Sequence, residues 1–335
     1  MCQDEIQKQF SCEPLEPSLF SKLCDAHCHA HDAIDKLDLI PALKTGHITL
    51  MGVRQDDWDR VSSVANACNQ VSPQKCVPCY GIHPWFSYRV IGNQSTENDH
   101  YESVLECSDS AEKQELISQL EPPFSFDVWH TNLYNRLVAD PSALVGEVGL
   151  DRAARLMPGG SIVWQGIRPT SVKVTMEHQL TILGAQLELA RQLNRGASIH
   201  CVQSQGHLMT LLHQTSKKIK KGDKSLVRLC LHSFGGSPGT IPQFLSVRGY
   251  KIYISFSVAI NSRLVRSKLD QLIKAVPDDR LLLESDIDRP EPLDESLVAI
   301  AHIVAGAKGW PIEKVVQQTH SNWIDFITNP CAPPK

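Results

Sequence analysis

Residues 25–32 read DAHCHAHD and follow a short apolar stretch, residues 20–24. His27 and His29 lie two positions apart in this segment. On a β-strand, residues i and i+2 face the same side, so both imidazoles would point the same way and could bind one metal ion. A His-x-His pair alone is weak evidence, because ordinary surface or core pairs show the same spacing. Its meaning therefore depends on what other segments of the chain bring to the same place.

Short β-rich runs alternate with helical patterns along the chain. The helix predicted most clearly covers residues 177–194, which carry one apolar stripe and are followed by Gly196. Alternation of strands and helices favours parallel βα units, and eight such units close into a barrel. The predicted fold class is therefore α/β, a (β/α)8 TIM barrel. Its predicted strands are residues 23–29, 48–53, 75–82, 143–149, 197–200, 226–232, 251–255 and 280–284.

Two long connections interrupt this rhythm, one after the third strand and one after the fourth. Residues 87–123 are polar and acidic, whereas residues 152–175 are rich in Gly, Pro and Arg. Both follow the carboxyl end of a strand, where a barrel places its active site, and neither resembles a linker between domains. We therefore predict an N-terminal extension, residues 1–20, and a single barrel domain, residues 21–330, with these two insertions.

Composition narrows the class of protein. Hydrophobic residues make up 42% of the 335-residue chain, enough for a large core. The formal net charge of −4 argues against a globally basic, nucleic-acid-coating protein but leaves room for a local positive site. The sequence has no apolar run long enough to span a bilayer and no apolar signal-peptide region at its polar N-terminus. We therefore expect no membrane association and a cytoplasmic or nuclear location.

The 11 cysteines are odd in number and irregularly spaced, which is not typical of a secreted disulfide framework. Cys76 and Cys79 form a C-x-x-C pair. A zinc site would need a second such pair, and none is present. We interpret the two as ordinary thiols near the end of a strand.

Polar residues stand at or near the ends of four later predicted strands. Each alone is more often an ordinary hydrogen-bonded or capping residue than a metal ligand. Burying each of these polar side chains would cost desolvation energy unless it had a polar partner, and a shared metal centre would provide a partner for all of them. Nitrogen and oxygen ligands of this kind suit zinc, manganese or similar divalent ions, and a two-metal site needs a bridging carboxylate. The candidate ligands are His27, His29, Glu147, His200, His232 and Asp286, with Glu147 as the bridge.

Several motifs together resemble the TatD family of metal-dependent deoxyribonucleases, which belongs to the amidohydrolase-like barrels. They are DAHCHAHD, GIHPW at residues 81–85, GEVGLD at residues 146–151, the histidines of IHC and LHSF, and LLLESD at residues 281–286. The resemblance runs from about residue 23 to 326. It implies two divalent metal ions (Mg²⁺, Mn²⁺ or Zn²⁺). One would be held by His27, His29, Glu147 and Asp286, and the other by Glu147, His200 and His232.

The resemblance also implies the reaction, hydrolysis of phosphodiester bonds in DNA by a two-metal centre. A glutamate on the fourth strand, rather than a carboxylated lysine, favours phosphate esters over C–N bonds by family analogy. We predict Asp286 as the general base, with Glu147 as the second catalytic residue. His83 is predicted to contact the substrate phosphate, or else to be a turn histidine packed against Trp85. Arg152, with Arg155 and Arg168, would approach the nucleic-acid backbone or form a solvated loop face.

The chain departs from the family pattern after Asp286, where residues 286–290 read DIDRP. Family members usually have a small residue and proline there. Ile287 changes the pocket wall, and Asp288 adds a negative charge near the expected phosphate site.

Two other functions remain open. Fungal, Cut9-interacting-protein-like members of this branch are described as partners of a repeat-protein subunit of a cell-cycle ubiquitin ligase, the anaphase-promoting complex. Residues 93–112 would then be a docking loop, or simply disordered. The alternative is a hydrolase of another phosphate ester or of a small amide or lactone.

Overall fold

The computed structural model describes residues 14–92, 96–162, 166–219 and 226–328, and its centre is a sheet of eight parallel strands. The sheet order is β1-β2-β3-β7-β9-β10-β11-β12, so neighbours in the sheet follow one another along the chain. The strands are β1 (Cys24–Cys28), β2 (His47–Met51), β3 (Cys76–Tyr80), β4 (Val90–Ile91), β5 (Leu105–Glu106), β6 (Phe124–Ser125), β7 (Leu144–Asp151), β8 (Lys173–Val174), β9 (Ala197–Val202), β10 (Val227–Leu231), β11 (Tyr250–Phe256) and β12 (Leu281–Leu283).

Backbone hydrogen bonds between the two ends of the sheet close the ring. The His29 amide donates to the Ile287 carbonyl at 2.8 Å, and the Asp286 amide donates to the His27 carbonyl at 3.0 Å. These bonds join β1 to the segment that follows β12. The predicted α/β class and (β/α)8 barrel are therefore confirmed.

The helices that surround the sheet were predicted in part. The sequence pattern predicts helices over residues 57–69, 177–194, 204–218, 241–247, 262–275 and 295–307, and each of these overlaps an observed helix. The helices over residues 126–139 and 312–327 were not predicted. The helices are α1 (Pro17–Phe20), α2 (Trp58–Val71), α3 (Glu97–Val104), α4 (Ser110–Gln119), α5 (Phe126–Ala139), α6 (Met176–Gln192), α7 (Gln205–Lys218), α8 (Thr240–Leu245), α9 (Val258–Asn261), α10 (Arg266–Ala275), α11 (Leu293–Lys308) and α12 (Ile312–Ile327).

The strands are buried on both faces, as expected where helices cover a parallel sheet. One set of strand side chains packs with Trp323 and Phe326 of α12, and the Trp323 indole donates to Thr49 Oγ1 at 2.8 Å. The other set faces the surrounding helices. Cys76 and Cys79 lie in β3 and belong one to each set. All the cysteines in the described ranges are free thiols.

The two insertions form one structure rather than two separate loops. Strand β5 of the first insertion pairs antiparallel with β8 of the second, and β4 pairs with β6. Tyr101 and Leu116 from the first insertion pack with Leu156 and Val172 from the second in a small hydrophobic core of their own. We call this unit the insertion subdomain. Most of residues 93–112, predicted as a docking loop or as disordered, is here folded into α3, β5 and the start of α4, and residues 93–95 lie outside the described ranges.

The N-terminal boundary of the barrel stays a prediction. Residues 1–13 lie outside the described ranges. Within the predicted extension, Leu15 is buried against the main core and α1 precedes β1 directly. No helix in the described ranges is long and apolar enough to cross a membrane.

A test of the shared core is Leu116→Ala. Leu116 is 2% exposed, and truncating a buried leucine costs about 2–5 kcal/mol of unfolding free energy. We expect faster hydrogen exchange not only in α4 but also in β8, since the core spans both insertions. Hydrogen exchange with mass spectrometry measures this, with the exposed Leu39→Ala as control. Unchanged exchange in β8 would show that the two insertions fold independently.

Candidate metal centre

The six predicted ligands come together at the carboxyl-terminal rim of the barrel. His27 lies in β1, Glu147 in β7 and His200 in β9, while the others follow the strand ends. His232 directly follows β10, His29 directly follows β1, and Asp286 lies three residues beyond β12. Parallel strands deliver their carboxyl ends to one rim, which explains why residues spread over 260 positions of sequence become neighbours. Their roles as ligands stay a prediction.

The backbone at this rim adopts conformations that few residues tolerate. Ser233 and Asp286 have φ values of 41° and 54°, in the left-handed region. Gly149 has φ of 156°, and a Cβ atom there would lie 2.0 Å from the carbonyl oxygen of His200. Glycine is therefore required at this position, because only a residue without a side chain lets β7 approach β9 so closely.

Glu147 is the centre of the arrangement. Its side chain is only 5% exposed, so it depends on its neighbours for polar partners. Five imidazoles supply them. Oε1 lies 2.7 Å from His232 Nε2, 2.9 Å from His200 Nδ1 and 3.3 Å from His83 Nε2, and Oε2 lies 3.2 Å from His29 Nε2 and 3.4 Å from His27 Nε2. Asp286 Oδ1 completes the cluster at 3.7 Å from Nε2 of both His27 and His29.

The imidazoles themselves are oriented by partners on their far side. His27 Nδ1 is 2.7 Å from Ser198 Oγ, and His200 Nε2 is 3.0 Å from Asp151 Oδ2. Asp151, as a carboxylate, accepts a hydrogen bond from the Nε2–H of His200, which leaves Nδ1 as the lone-pair nitrogen. If the Ser198 hydroxyl accepts a hydrogen bond from the Nδ1–H of His27, then Nε2 of His27 is its lone-pair nitrogen. Both lone pairs point toward Glu147.

These orientations fit divalent cations. Nε2 of His27 is 3.1 Å from Nε2 of His29, and Nδ1 of His200 is 3.2 Å from Nε2 of His232. Facing lone pairs repel unless a proton or a cation lies between them, and imidazole nitrogens with carboxylate oxygens are the ligands such cations take. Groups of three ligand atoms, each within 4.8 Å of one another, include His27–His29–Asp286 and His83–Glu147–His200.

The pKa values of the clustered side chains also favour positive charge beside Glu147. Burial would raise the pKa of Glu147, but the surrounding imidazoles, His83 first, hold it well below its usual range. Burial would lower the pKa of His29, but the Glu147 and Asp286 carboxylates raise it to about 9. Burial lowers the pKa of His83 to about 4 in spite of Glu147. The pocket thus holds an ionised carboxylate and favours positive charge beside it.

Sequence reasoning missed several residues that support the cluster. Asp151, the last residue of GEVGLD, contacts His200. Glu284, in LLLESD, is fully buried, accepts from the amide of Ser233 at 2.6 Å and lies 3.7 Å from His232 Nδ1. Both stand inside motifs that had already been singled out, so a search for acidic residues beside each candidate histidine would have found them. Ser198 carries no comparable signal in the sequence.

Buried glutamines of α6 hold the strand ends in place. The Gln179 side chain exchanges hydrogen bonds with the Asp151 backbone at 2.8 and 3.0 Å. The Gln186 side chain does the same with the Ile82 backbone, next to His83, at 2.7 and 3.1 Å. Each amide satisfies one backbone donor and one acceptor where strand pairing has ended.

The predicted substrate contacts divide into two groups. His83 is 3% exposed, and both predicted surroundings occur, because its ring reaches Glu147 and also packs edge-on against Trp85. Arg152 lies one residue beyond β7 with an exposed side chain, beside a groove that it lines with Glu106 and His207. Asp288, the extra charge, is half exposed and pairs with Arg289 at 3.0 Å. The phosphate-binding roles of His83 and Arg152 stay predictions.

Comparison with known proteins assigns the chain to a family. The chain matches the family described as TatD related DNase over residues 24–328. It is 33% identical to the Cut9-interacting protein scn1 of Schizosaccharomyces pombe, over 91% of this chain and 98% of that protein. It is 28% identical to the uncharacterized deoxyribonuclease YMR262W of Saccharomyces cerevisiae, over 81% of this chain and 86% of that protein.

Solved structures agree on the fold. The crystal structure of YJJV, a TatD homologue from Escherichia coli, superimposes with a TM-score of 0.60 at 18% identity, covering 92% of this chain and 98% of that one. The family match spans nearly all of the described barrel, including every candidate ligand. The chain therefore belongs to the TatD-related DNase family of metal-dependent hydrolases.

Proposed function

We propose that this protein hydrolyses phosphodiester bonds of DNA at the barrel rim, with two divalent cations held by the six predicted ligands. The observation that carries the proposal is the buried Glu147 carboxylate, whose two oxygens face different groups of imidazoles. His27 and His29 face Oε2, and His200 and His232 face Oε1. Such an arrangement suits a carboxylate that bridges two cations.

Divalent cations at this centre would neutralise the phosphate and stabilise the charge that develops on its oxygens. The protein's own groups would position the substrate and move protons. The Asp286 side chain is 11% exposed and the Glu147 side chain 5%, so Asp286 is the more accessible of these two carboxylates. We assign it to accept the proton of the attacking water.

His83 is assigned to the substrate phosphate. Its Nδ1 accepts the Trp85 amide at 3.2 Å, so its Nε2 carries the proton and faces the centre. A neutral imidazole with Nε2–H is a hydrogen-bond donor to a phosphate oxygen. The low pKa of His83 keeps the ring neutral at physiological pH.

The bridging role of Glu147 is tested by two substitutions. Glu147→Gln keeps the size of the side chain but cannot bridge two cations, so we expect the fold to persist while activity is lost. Glu147→Ala should lose bound divalent ions and activity together. Metal analysis, circular dichroism and a DNA cleavage assay measure these outcomes, with the exposed Glu313→Gln as control. Near-normal turnover by metal-loaded Glu147→Gln would show that Glu147 is not the bridge.

Asp151 is proposed as a positioning residue, and Asp151→Asn tests it. The amide oxygen can still cap the amides of Ala153 and Ala154, which Oδ1 accepts at 2.8 and 2.9 Å. The amide nitrogen would present donors to His200 Nε2 and so favour the wrong tautomer. We expect metal affinity to fall by about 10–100-fold while the fold persists, which circular dichroism checks. Competitive Mn²⁺ titration measures the affinity, and an unchanged affinity would remove Asp151 from this role.

The nuclease activity is tested by cleavage of single- and double-stranded DNA, which a chelator should abolish and Mg²⁺ or Mn²⁺ restore. Asp286→Asn should lower turnover by about 10²–10⁴-fold, the usual contribution of a general base, and lower DNA binding far less. Asp288→Asn removes a neighbouring exposed charge and should cleave at or above the parental rate.

Two results would contradict the proposal. Equal cleavage by the parent and Asp286→Asn would assign the activity to a contaminant or another site. A metal-loaded parent that cleaves no nucleic acid would favour another phosphate ester, or a small amide or lactone, as substrate.

We also propose a protein partner as a second function. The similarity to a protein named for its interaction with Cut9 extends over 91% of this chain. The insertion subdomain supplies a folded surface outside the barrel. The purified Cut9 counterpart should bind the parent and Asp286→Asn equally, because a docking surface does not need the general base. Absence of binding in a pull-down with both proteins folded would remove this function.

A further inference from the structure

One large aromatic side chain lies exposed beside the metal centre. Trp85 is 44% exposed. Three other tryptophans in the described ranges, Trp58, Trp129 and Trp323, are at most 1% exposed. A single exposed apolar side chain is common on protein surfaces, so the case for Trp85 depends on where its ring stands and how it is held.

The Trp85 indole is fixed in position. Its Nε1–H donates to Asp151 Oδ2 at 2.8 Å, and its backbone amide donates to His83 Nδ1 at 3.2 Å. The His83 ring packs edge-on against it, with centroids 4.8 Å apart and an interplanar angle of 83°. The polar edge of the indole is therefore satisfied inside the protein, while a large part of the ring remains open to a ligand.

Asp151 ties this ring to the proposed metal centre. The same oxygen, Oδ2, accepts from Trp85 Nε1 and lies 3.0 Å from His200 Nε2. The indole and the His200 ring have centroids 6.1 Å apart. Whatever stacks on Trp85 is thus held at a set distance from the groups assigned to the scissile phosphate.

We propose that Trp85 is a stacking platform for one unstacked nucleobase of the substrate, adjacent to the phosphate at the centre. This inference rests on the proposed nuclease function and adds a base-binding position to it. Aromatic side chains bind single-stranded nucleic acid by stacking, because every base presents a π-face. A base inside a duplex is covered on both sides, so the platform selects single strands, frayed ends or extruded nucleotides.

A protein partner is the competing occupant, since tryptophan is also enriched at protein interfaces. The position of Trp85 favours the nucleobase. Its contacts are with His83, Asp151 and His200, all in or beside the proposed centre, whereas the insertion subdomain core lies among other residues.

An abasic scan tests the platform in the Asp286→Asn background, in which we expect the full-length protein, incubated with Mn²⁺, to bind DNA and to cleave it far more slowly than the parent. Fluorescently labelled single-stranded oligonucleotides carry one abasic site, moved one nucleotide at a time. We expect one position at which loss of the base weakens binding by about 5- to 140-fold, the equivalent of one base stack. Adding Trp85→Leu should remove this dependence, and adding Trp85→Phe should keep part of it.

The matched control is Tyr134→Leu, which removes a 41% exposed aromatic from α5 on the outside of the barrel and should leave the abasic dependence unchanged. Tryptophan fluorescence gives a second reading: quenching by the intact oligonucleotide should be larger for the Asp286→Asn protein than after adding Trp85→Phe.

The outcomes separate this inference from the function on which it rests. If the parent cleaves DNA but no abasic position weakens binding, or Trp85→Leu retains the dependence, the platform is wrong and the nuclease stands. If the metal-loaded parent neither binds nor cleaves nucleic acid, both proposals fall. Loss of Cut9-counterpart binding in Trp85→Leu, without any abasic dependence, would assign the indole to the protein partner.

Discussion

The burial of one carboxylate, Glu147, is the constraint on which the rest of the site depends. An ionised carboxylate in the interior is strongly unfavourable unless charges and hydrogen bonds compensate its lost hydration. Here five imidazoles stand within 3.4 Å of its oxygens. The facing lone pairs of neighbouring imidazoles repel one another unless protons or cations lie between them. The polar residues at this rim therefore stabilise one another only as a set.

The hydrogen bonds that close the barrel also position some of the polar residues around Glu147. Asp25 accepts from the amide and the hydroxyl of Ser285, and the amide of Asp286 donates to the carbonyl of His27. These contacts join the first strand to the end of the last one and also place His27 beside Asp286. A change that weakens these contacts between the first and last strands is therefore expected to displace candidate ligands as well.

The sequence predicted the barrel and the six candidate ligands because both follow from local patterns: strand periodicity, and polar residues at strand ends. Helix α12 was missed although its apolar face packs under the barrel, since its role is visible only in three dimensions. Asp151 and Glu284 lie in recognised motifs, but their contacts with His200 and His232 depend on pairing between distant strands. Ser198 could not be predicted, because a serine in a buried strand indicates no function until its hydrogen-bond partner is known.

The two insertions lie next to the candidate site but contribute none of the six candidate ligands. They leave the barrel after β3 and β7, next to His83 and Asp151, and are anchored by contacts such as His178 Nε2 to the Ser87 carbonyl at 2.8 Å. The candidate ligands lie outside the insertion subdomain core, which has its own hydrophobic contacts. Substitutions in that core are therefore expected to disturb the insertion subdomain more than the positions of Glu147 and its imidazoles.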